Sequence, residues 1–164
     1  MIADEVKYCP RCGAQLTDAL RFGKPRPTCL QCNWIFFPDP KVAAAVLLEQ
    51  DGRVLLVRRA VNPQRGRWTL PAGFIDAGEH PAKAAERECL EETGLHVRVT
   101  RLLDVLAKQG NIQGADIIIF YQAVIIAGEL VPGDDVDRVG FFPRDELPPL
   151  AFSTTDQILS SNDI

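Results

Sequence analysis

A glycine-bearing loop followed by a short acidic helix is the feature that most constrains this chain. The stretch runs from Gly73 to Leu95 and reads GFIDAGEHPAKAAERECLEETGL. Pro81 suits the first helical turn, where a backbone N–H would have no intrahelical partner. Gly94 suits the position just past the helix end, where a left-handed residue closes the last turn. The pattern therefore predicts a helix from about residue 81 to residue 93.

Three carboxylates of this predicted helix fall on one face. Glu91 and Glu92 follow Glu88 by three and four residues, and at about 100° per residue these offsets keep the side chains together. Like charges so placed destabilise a helix by a few tenths of a kcal/mol per pair. A hard divalent cation such as Mg²⁺ would offset the repulsion, because it takes oxygen ligands. The alternative is a solvated acidic face, the usual role of a run of charges.

The whole stretch follows one spaced pattern, G-x5-E-x7-R-E-U-x-E-E-x-G-U, in which U is an apolar residue. The matching positions are Gly73, Glu79, Arg87, Glu88, Cys89, Glu91, Glu92, Gly94 and Leu95. This pattern resembles the signature of the Nudix hydrolases, and so many positions in one register make a specific signal. We refer to residues 73–95 as the box.

The flanking sequence predicts a mixed sheet with few helices. Val42 to Leu48 is a continuous apolar run, typical of a strand buried on both faces, and Asp51–Gly52 is a hairpin turn before a partner strand at 53–59. Further strands are predicted at 68–70, 96–107, 115–127 and 139–142, with a closing helix at 153–160 whose first residues resemble a capping box. The Nudix resemblance implies an α/β fold, the α/β/α sandwich. The predicted domains are a zinc ribbon at 1–38 and a Nudix domain at 39–164.

The resemblance also implies a chemistry, the hydrolysis of a nucleoside diphosphate linked to another group. It implies Mg²⁺ or Mn²⁺ held by Glu88, Glu91, Glu92 and the backbone carbonyl of Ala72. Arg87 is expected to orient Glu91 or Glu79 rather than touch the substrate.

The identity of the general base stays open. Either Glu91 or an acid of a later loop is expected to activate the attacking water, and Asp135 is the favoured residue of that loop. The same loop contains Glu129, Asp134 and Asp137. The alternative role for these acids is an ordinary solvated turn, since Pro-Gly-Asp-Asp is good turn chemistry.

Candidate substrate contacts lie outside the box. They are three arginines, whose bidentate geometry suits phosphate, and one aromatic residue: Arg58, Arg65, Arg67 and Phe152. Stretches such as Gly66-x-Trp68-Thr-Leu-Pro-Ala-Gly and Leu150-Ala-Phe-Ser resemble plant FAD/ADP-ribose pyrophosphatases. ADP-ribose or FAD is therefore the expected substrate class. The alternatives are an NADH pyrophosphatase, although its S-Q-P-W-P-F-P motif is missing here, and a non-hydrolytic nucleotide sensor or nucleic-acid adaptor.

Four of the five cysteines form two closely spaced pairs near the N-terminus, Cys9–Cys12 and Cys29–Cys32. Two C-x2-C pairs at this separation predict a structural Zn²⁺ site with four thiolate ligands, a zinc ribbon. Disulfides and a thioredoxin-like redox pair are the rival interpretations. Disulfides are rare in proteins of reducing compartments, and no βαβ pattern surrounds either cysteine pair. A segment this short would draw its folding free energy from the metal.

Composition excludes some partners. The net charge of −4 weighs against a general nucleic-acid or membrane-surface binder, which is usually basic. No apolar run reaches the ~18 residues of a membrane span, and the first residues do not resemble a signal peptide. We expect a cytoplasmic protein with a small nucleotide as its partner. The family resemblance adds the expectation of a homodimer.

Overall fold

The computed structural model of this protein describes residues 6–107 and 114–161. They form two compact units that divide between Pro40 and Lys41, whereas the sequence placed the division after residue 38. The two units are described separately below.

The smaller unit contains one antiparallel hairpin, formed by β1 (Thr17–Arg21) and β2 (Lys24–Thr28). Arg21 pairs with Lys24, so only Phe22 and Gly23 form the turn. The two C-x2-C pairs lie on either side of this hairpin in the sequence.

The described residues of the larger unit form seven strands and two helices. In chain order they are β3 (Val42–Gln50), β4 (Arg53–Arg59), β5 (Trp68–Thr69), β6 (Ala72–Phe74), α1 (Pro81–Thr93), β7 (Leu95–Ala107), β8 (Ile117–Gly128), β9 (Val136–Pro143) and α2 (Ser153–Ser160). The strand order is β5-β4-β3-β8-β7, with β6 paired to β3 and β9 paired to β4. The sheet is mixed, because β3 runs parallel to β8 and antiparallel to β4 and β6.

Strand β3 is buried on both faces, as its continuous apolar run predicts. Ala44, Val46 and Leu48 pack in one core that contains Ala84, Ala85 and Cys89 of α1. Ala45 and Leu47 face a second core that contains Ile158 and Leu159 of α2. Successive side chains of a strand point to opposite faces, so the sheet lies between the two helices. The predicted α/β/α sandwich with a mixed sheet is confirmed.

Helix α1 has the predicted bounds and a defined cap at each end. His80 is the N-cap residue, and its Nδ1 accepts a hydrogen bond from the N–H of Ala82 at 3.2 Å. Gly94 ends the helix with a φ of 72°, and its N–H donates to the carbonyl of Leu90 at 2.8 Å. These caps satisfy backbone groups that the helix itself leaves unpaired, which fixes where the carboxylate-bearing helix starts and stops.

Two local predictions were wrong. Strand β9 starts at Val136 instead of residue 139, because its pairing with β4 extends the strand into a polar segment that reads as a loop. The first residues of α2 do not form a capping box: Phe152 occupies the N-cap position and supplies no side-chain hydrogen bond. At the start of β9, tertiary pairing overrides local propensity.

Candidate active site

Glu92 is the most deeply buried carboxylate of the box. Its side chain lies on the inner face of α1 and the residue is only 4% exposed. One carboxylate oxygen accepts a hydrogen bond from the N–H of Ala72 at 3.0 Å. Burial raises the pKa of Glu92 well above its usual value, and the nearby charges of Asp135 and Glu88 raise it further. The residue predicted to lend a carbonyl ligand, Ala72, therefore adjoins this carboxylate.

Glu88 lies one turn earlier on the same helix, as its spacing predicts. Its carboxylate rests over the α-carbon of Gly73, where a Cβ atom would lie 2.1 Å from the carboxyl carbon. Burial raises the pKa of Glu88, and Arg87 opposes the rise while Glu91 and Asp134 add to it. Gly73 is thus required by close approach of a side chain, and the strand-to-loop segment holds Glu88 beside Glu92.

Arg87 connects the glutamates of the box. It forms a bidentate pair with Glu79, in which both nitrogen–oxygen distances are 2.9 Å. Its Nη1 donates to Glu88 at 2.7 Å and to Glu91 at 3.0 Å, and Nη2, which also bonds Glu79, donates to the carbonyl of Phe74 at 3.0 Å. Such a fork restricts the rotamers of all three carboxylates. The expected orienting contacts to Glu79 and Glu91 are both present, together with one to Glu88.

The acidic loop before β9 folds against the C-terminal end of α1. The N–H groups of Val131 and Gly133 donate to the carbonyls of Thr93 and Glu92, at 2.9 and 3.1 Å. Gly133 passes so close to the helix that a Cβ there would lie 2.4 Å from the carbonyl oxygen of Glu91. The helix end thereby gains partners for its free carbonyls, and the loop is brought to the face that bears the glutamates.

This packing brings two loop acids close to the box. The charge of Asp135, the predicted base, acts on Glu92, and that of Asp134 acts on Glu88. The carbonyl of Asp135 also accepts a bond from Ala60 at 2.7 Å. Asp137 is occupied elsewhere, in a bidentate pair with Arg58 at 2.7 and 2.9 Å. The described structure therefore leaves Asp134 and Asp135 as the loop acids nearest to the box carboxylates.

Arg59 is a site residue that the sequence interpretation missed. Its guanidinium carbon lies 5.5 Å from the ring centroid of Phe152, and its charge opposes the rise in the pKa of Glu92. Its Nε donates to the carbonyl of Pro63 at 2.7 Å. The sequence named Arg58 instead, yet Arg58 is neutralised by Asp137. Adjacent residues of a strand point to opposite faces, so the sequence indicated that only one of the two arginines could face the carboxylates. Only the register with β9 shows that this residue is Arg59.

The other predicted substrate contacts lie on the same unit. Phe152 lines an open cleft of about 430 Å³, together with Leu147, Pro148, Leu150, Ala151, Ser153 and Asp156. Arg67 donates to the carbonyl of Leu150 at 3.3 Å, at one side of this cleft. Arg65 is exposed on the loop between β4 and β5.

The box carboxylates are ligands of the type that a hard divalent cation takes, although, among the described residues, no three of these carboxylates place oxygen atoms within 4.8 Å of one another as the four cysteines place their sulfurs. Glu92 is a nearly fully buried acid that, within the described ranges, has a single protein hydrogen bond, from a backbone N–H, and the charges of two further carboxylates act on it. Burying several carboxylates without a cation is strongly unfavourable, whereas Mg²⁺ and Mn²⁺ bind to such oxygen ligands. Glu88 and Glu92 would hold the ion, with Glu91 and the backbone of Ala72 beside them.

The cysteine sulfurs of the smaller unit meet in one cluster. The Sγ atoms of Cys9, Cys12, Cys29 and Cys32 all lie within 4.8 Å of one another. Neighbouring sulfurs are 3.4 to 3.6 Å apart, far more than the ~2.05 Å of a disulfide bond. Tetrahedral ligands at ~2.3 Å from a zinc ion would lie about 3.8 Å apart. All five cysteines are free thiols, and this cluster fits one Zn²⁺ ion.

The two turns that contain the cysteine pairs have backbone conformations that suit thiolate ligands. Gly13 and Asn33, which follow the second cysteine of each pair, have φ values of 74° and 59°. In the second turn the N–H of Cys32 donates to the Sγ of Cys29 at 3.4 Å. Chiefly through this bond, the pKa of Cys29 is lowered to about 7, which favours the anionic form that binds metal, whereas the pKa values of Cys12 and Cys32 in the same cluster are raised.

Comparison with known proteins matches this arrangement to a family. The model of the NUDIX domain matches residues 38–160, which include the whole box, the acidic loop and α2. The chain belongs to the NUDIX domain family. The predicted Nudix fold and the resemblance to the Nudix hydrolases are thereby confirmed.

Individual relatives agree with the assignment of a Nudix domain. A protein named ADP-ribose pyrophosphatase from Methanocaldococcus jannaschii is 40% identical over 114 residues, which are 69% of this chain and 68% of that protein. A protein named NAD-capped RNA hydrolase NudC from Pseudomonas aeruginosa is 30% identical over 149 residues, or 88% of this chain but only 50% of that protein. This chain therefore spans about half the length of some curated relatives.

A solved structure resembles the chain over both units. The crystal structure of a NUDIX hydrolase from Nitrosomonas europaea superposes with a TM-score of 0.83 at 32% identity, and covers 94% of this chain and 88% of that one. Among the described residues, no helix has the length and apolar character needed to cross a membrane.

Proposed function

We propose that this Nudix pyrophosphohydrolase cleaves the pyrophosphate bond of a nucleoside diphosphate linked to another group, with Mg²⁺ or Mn²⁺. The observation that carries the proposal is the convergence of buried or half-buried Glu88 and Glu92 with Asp134 and Asp135. A metal bound there would supply positive charge for the phosphoryl oxygens and lower the pKa of a coordinated water. Membership of the family and a complete set of box carboxylates support the enzyme class.

The protein groups have distinct roles in this proposal. Glu88, Glu91 and Glu92 hold the cation with the backbone of Ala72, and Arg87 keeps their rotamers fixed through its hydrogen bonds. A general base must lie within reach of the attacking water. Asp135 and Glu91 stay the candidates for that role, and the position of Asp134 beside Glu88 adds a third.

The substrate class that we propose is a dinucleotide such as ADP-ribose or FAD. The name of the Methanocaldococcus relative supports ADP-ribose. In this chain, the cleft beside Phe152 offers an aromatic ring for a base, and Arg59 and Arg67 lie next to it. A guanidinium group is well suited to bind the doubly charged diphosphate that links the two halves of such a dinucleotide.

A second candidate substrate is a nicotinamide dinucleotide, free or at the end of an RNA. The NudC relative carries that activity in its name. The alignment covers 88% of this chain, which leaves out about 20 residues. Even if all of these were at the N-terminus, the alignment would still include the second cysteine pair, Cys29 and Cys32. The missing S-Q-P-W-P-F-P motif favours the first candidate.

One panel of substrates tests these proposals. The purified protein is incubated with Mg²⁺ and ADP-ribose, FAD, NADH or a 5′-NAD-capped RNA, and the mononucleotide products are quantified. We expect turnover of at least one compound and its loss in Glu88→Gln. No turnover of any compound, with Glu88→Gln indistinguishable from the parent, would contradict the proposed hydrolysis.

We also propose that the cysteine cluster is a structural zinc ribbon. Freshly purified protein should contain one equivalent of zinc, and titration of the thiols with a mercurial should release it. Cys29→Ser should lower the zinc content, whereas Cys89→Ala should not, because Cys89 is buried in α1 apart from the cluster. Less than about half an equivalent in the parent protein would count against a four-thiolate site.

The expected homodimer also stays a proposal. Leu102 and Val105 on β7 and Val124 and Ile126 on β8 are exposed apolar side chains of the sheet. Exposed apolar groups of this kind favour association. Light scattering of the purified protein would give the mass, and a monomer at all concentrations would refute the proposal.

A further inference from the structure

The turn of the β1–β2 hairpin has a residue that local backbone preference disfavours. Phe22 and Gly23 both have positive φ values, 50° and 75°, as in the type I′ turns that join strands through two residues. Asn, Asp and Gly favour the first central position, whereas a bulky side chain with a positive φ is an outlier. Burial does not offset the strain, because Phe22 is 78% exposed. Backbone strain that no packing contact offsets indicates that a residue is retained for an interaction with another molecule.

A second exposed ring extends this aromatic surface. The ring centroid of Phe37 lies 6.0 Å from that of Phe22, with an interplanar angle of 36°, and Phe37 is 45% exposed. The guanidinium carbon of Arg26 lies 4.6 Å from the Phe37 centroid. We call Arg21, Phe22, Lys24, Arg26 and Phe37 the hairpin patch.

The charge of the hairpin patch is opposite to that of the whole chain. Residues 19–38 contain three basic residues and no acidic one, although the chain has a net charge of −4. Within the described residues, no carboxylate forms an ion pair with these three cations. Arg26 also has a buried Nε without a hydrogen-bond partner there. Among the described residues, the charges of these three side chains are therefore not balanced by a carboxylate.

We propose that the hairpin patch binds single-stranded RNA. Unpaired bases stack on exposed aromatic rings whatever their sequence, and basic side chains beside the rings contact the phosphates. An apolar protein partner would not interact favourably with the three cations. A small anion would not interact with the two exposed rings. The negative net charge led us to expect that the protein does not bind nucleic acid. We depart from that expectation here because the charge is unevenly distributed along the chain. It does not require hydrolysis, so it can fail or hold independently of the proposed function.

The test is the fluorescence anisotropy of a labelled 12-nucleotide RNA with a 5′-hydroxyl end, titrated with the zinc-loaded full chain. Such an RNA has no pyrophosphate bond, so hydrolysis in the active site cannot change the signal. We expect saturable binding, weaker binding of the same sequence as a duplex, and a DNA strand that binds no more tightly than the RNA. Three phosphate contacts predict a slope of log K against log salt of about −2. Changing both Arg21 and Lys24 to Gln should reduce this slope by about 1.4.

The variants of Phe22 separate binding from folding. Phe22→Asn supplies a residue that type I′ turns favour, so the zinc content and the unfolding midpoint should be kept or improved while RNA binding weakens at least about fivefold. Phe22→Trp should retain the affinity, and Glu88→Gln should leave it unchanged.

Four results would overturn the proposal. The first is no binding by the parent protein, and the second is equal binding by Phe22→Asn and the parent. The third is a lower oligomeric mass in Phe22→Asn without any RNA binding, which would show that the hairpin patch contacts a second copy of the chain. DNA binding more than about fivefold tighter than RNA binding would reject RNA as the occupant.

Discussion

The carboxylate of Glu88 lies directly over the α-carbon of Gly73, so this glycine has no room for a side chain. A Cβ atom would lie 2.1 Å from the carboxyl carbon and 2.1 and 2.3 Å from the two oxygens. The clash involves the end of a flexible side chain, so Gly73→Ala should fold while displacing Glu88. We expect the affinity for Mn²⁺ to fall by about 10–100-fold, as when a ligand loses its support. Titration calorimetry with Mn²⁺ measures this change.

A second glycine provides the matched control. A Cβ at Gly140 of β9 would meet only the Phe142 ring, at 3.4 and 3.6 Å. Gly140→Ala should therefore leave the Mn²⁺ affinity unchanged. If Gly73→Ala also kept the parent affinity, the assignment of Glu88 as a metal ligand would be wrong.

Replacing Glu92 with glutamine should stabilise the protein in the absence of Mg²⁺ and abolish its hydrolysis. The pKa of Glu92 is raised in the fold, chiefly by burial, so the folded state holds the proton more tightly than the unfolded chain. The free energy of unfolding contributed by Glu92 therefore decreases as the pH rises above the usual glutamate range. Glutamine resembles the protonated form and can still accept the bond from Ala72.

Urea unfolding without added Mg²⁺ checks the prediction for Glu92. Glu92→Gln should be more stable than the parent at pH 7.5, and the difference should shrink as the pH falls towards 4. With Mg²⁺ present the order should reverse, because only the parent gains free energy from metal binding. A variant less stable than the parent at pH 7.5 without Mg²⁺ would contradict this account.

The ion pair between Glu79 and Arg87 should make the larger unit sensitive to acid. The hydrogen bonds from Arg87 and the N–H of Asp76 lower the pKa of Glu79 from 4.5 to about 2. A lowered carboxyl pKa stabilises the fold fully above pH 4.5, and this contribution is lost as the pH falls towards about 2. Between pH 5 and pH 3 the parent should therefore lose more stability than Glu79→Gln.

Tryptophan fluorescence can report this loss for the larger unit alone. The chain has two tryptophans, Trp34 and Trp68, and a Trp34→Phe background leaves only Trp68, which lies in β5. Acid protonation of the zinc-binding thiols then does not affect the signal directly. Parallel losses of stability in both proteins would show that Glu79 does not titrate as described.

The adjacent arginines Arg58 and Arg59 should differ in their effect on activity. Arg59 faces Phe152 and acts on Glu92, whereas Arg58 is paired with Asp137. We expect Arg59→Ala to lower kcat/KM by roughly tenfold or more, mainly through KM, since it removes a charge offered to the substrate. Arg58→Ala should change kcat/KM less than about threefold. Steady-state kinetics on the best substrate of the panel decides, and a larger loss in Arg58→Ala would reverse the assignment.

Local patterns in the sequence sufficed to predict several elements. The bounds of α1 follow from Pro81 and Gly94, because helix ends are defined by nearby backbone groups. The shared face of Glu88 and Glu92 follows from the helical repeat, and the burial of β3 follows from its unbroken apolar run. The start of β9 was missed because its first residues are polar, and only pairing with β4 extends the strand to Val136.

The sequence by itself determined the acidic face of α1, which we propose binds the metal, and the two cysteine turns, since both depend on spacing within a few residues. Only the tertiary structure decided which distant groups complete each site. The register between β4 and β9 shifts between Arg58 and Arg59, which pairs the first with Asp137 and leaves the second near Glu92. Close packing of Gly133 against α1 brings Asp134 and Asp135 to the glutamates. Strand register and loop packing depend on contacts between segments far apart in the chain, and a linear spacing does not contain them.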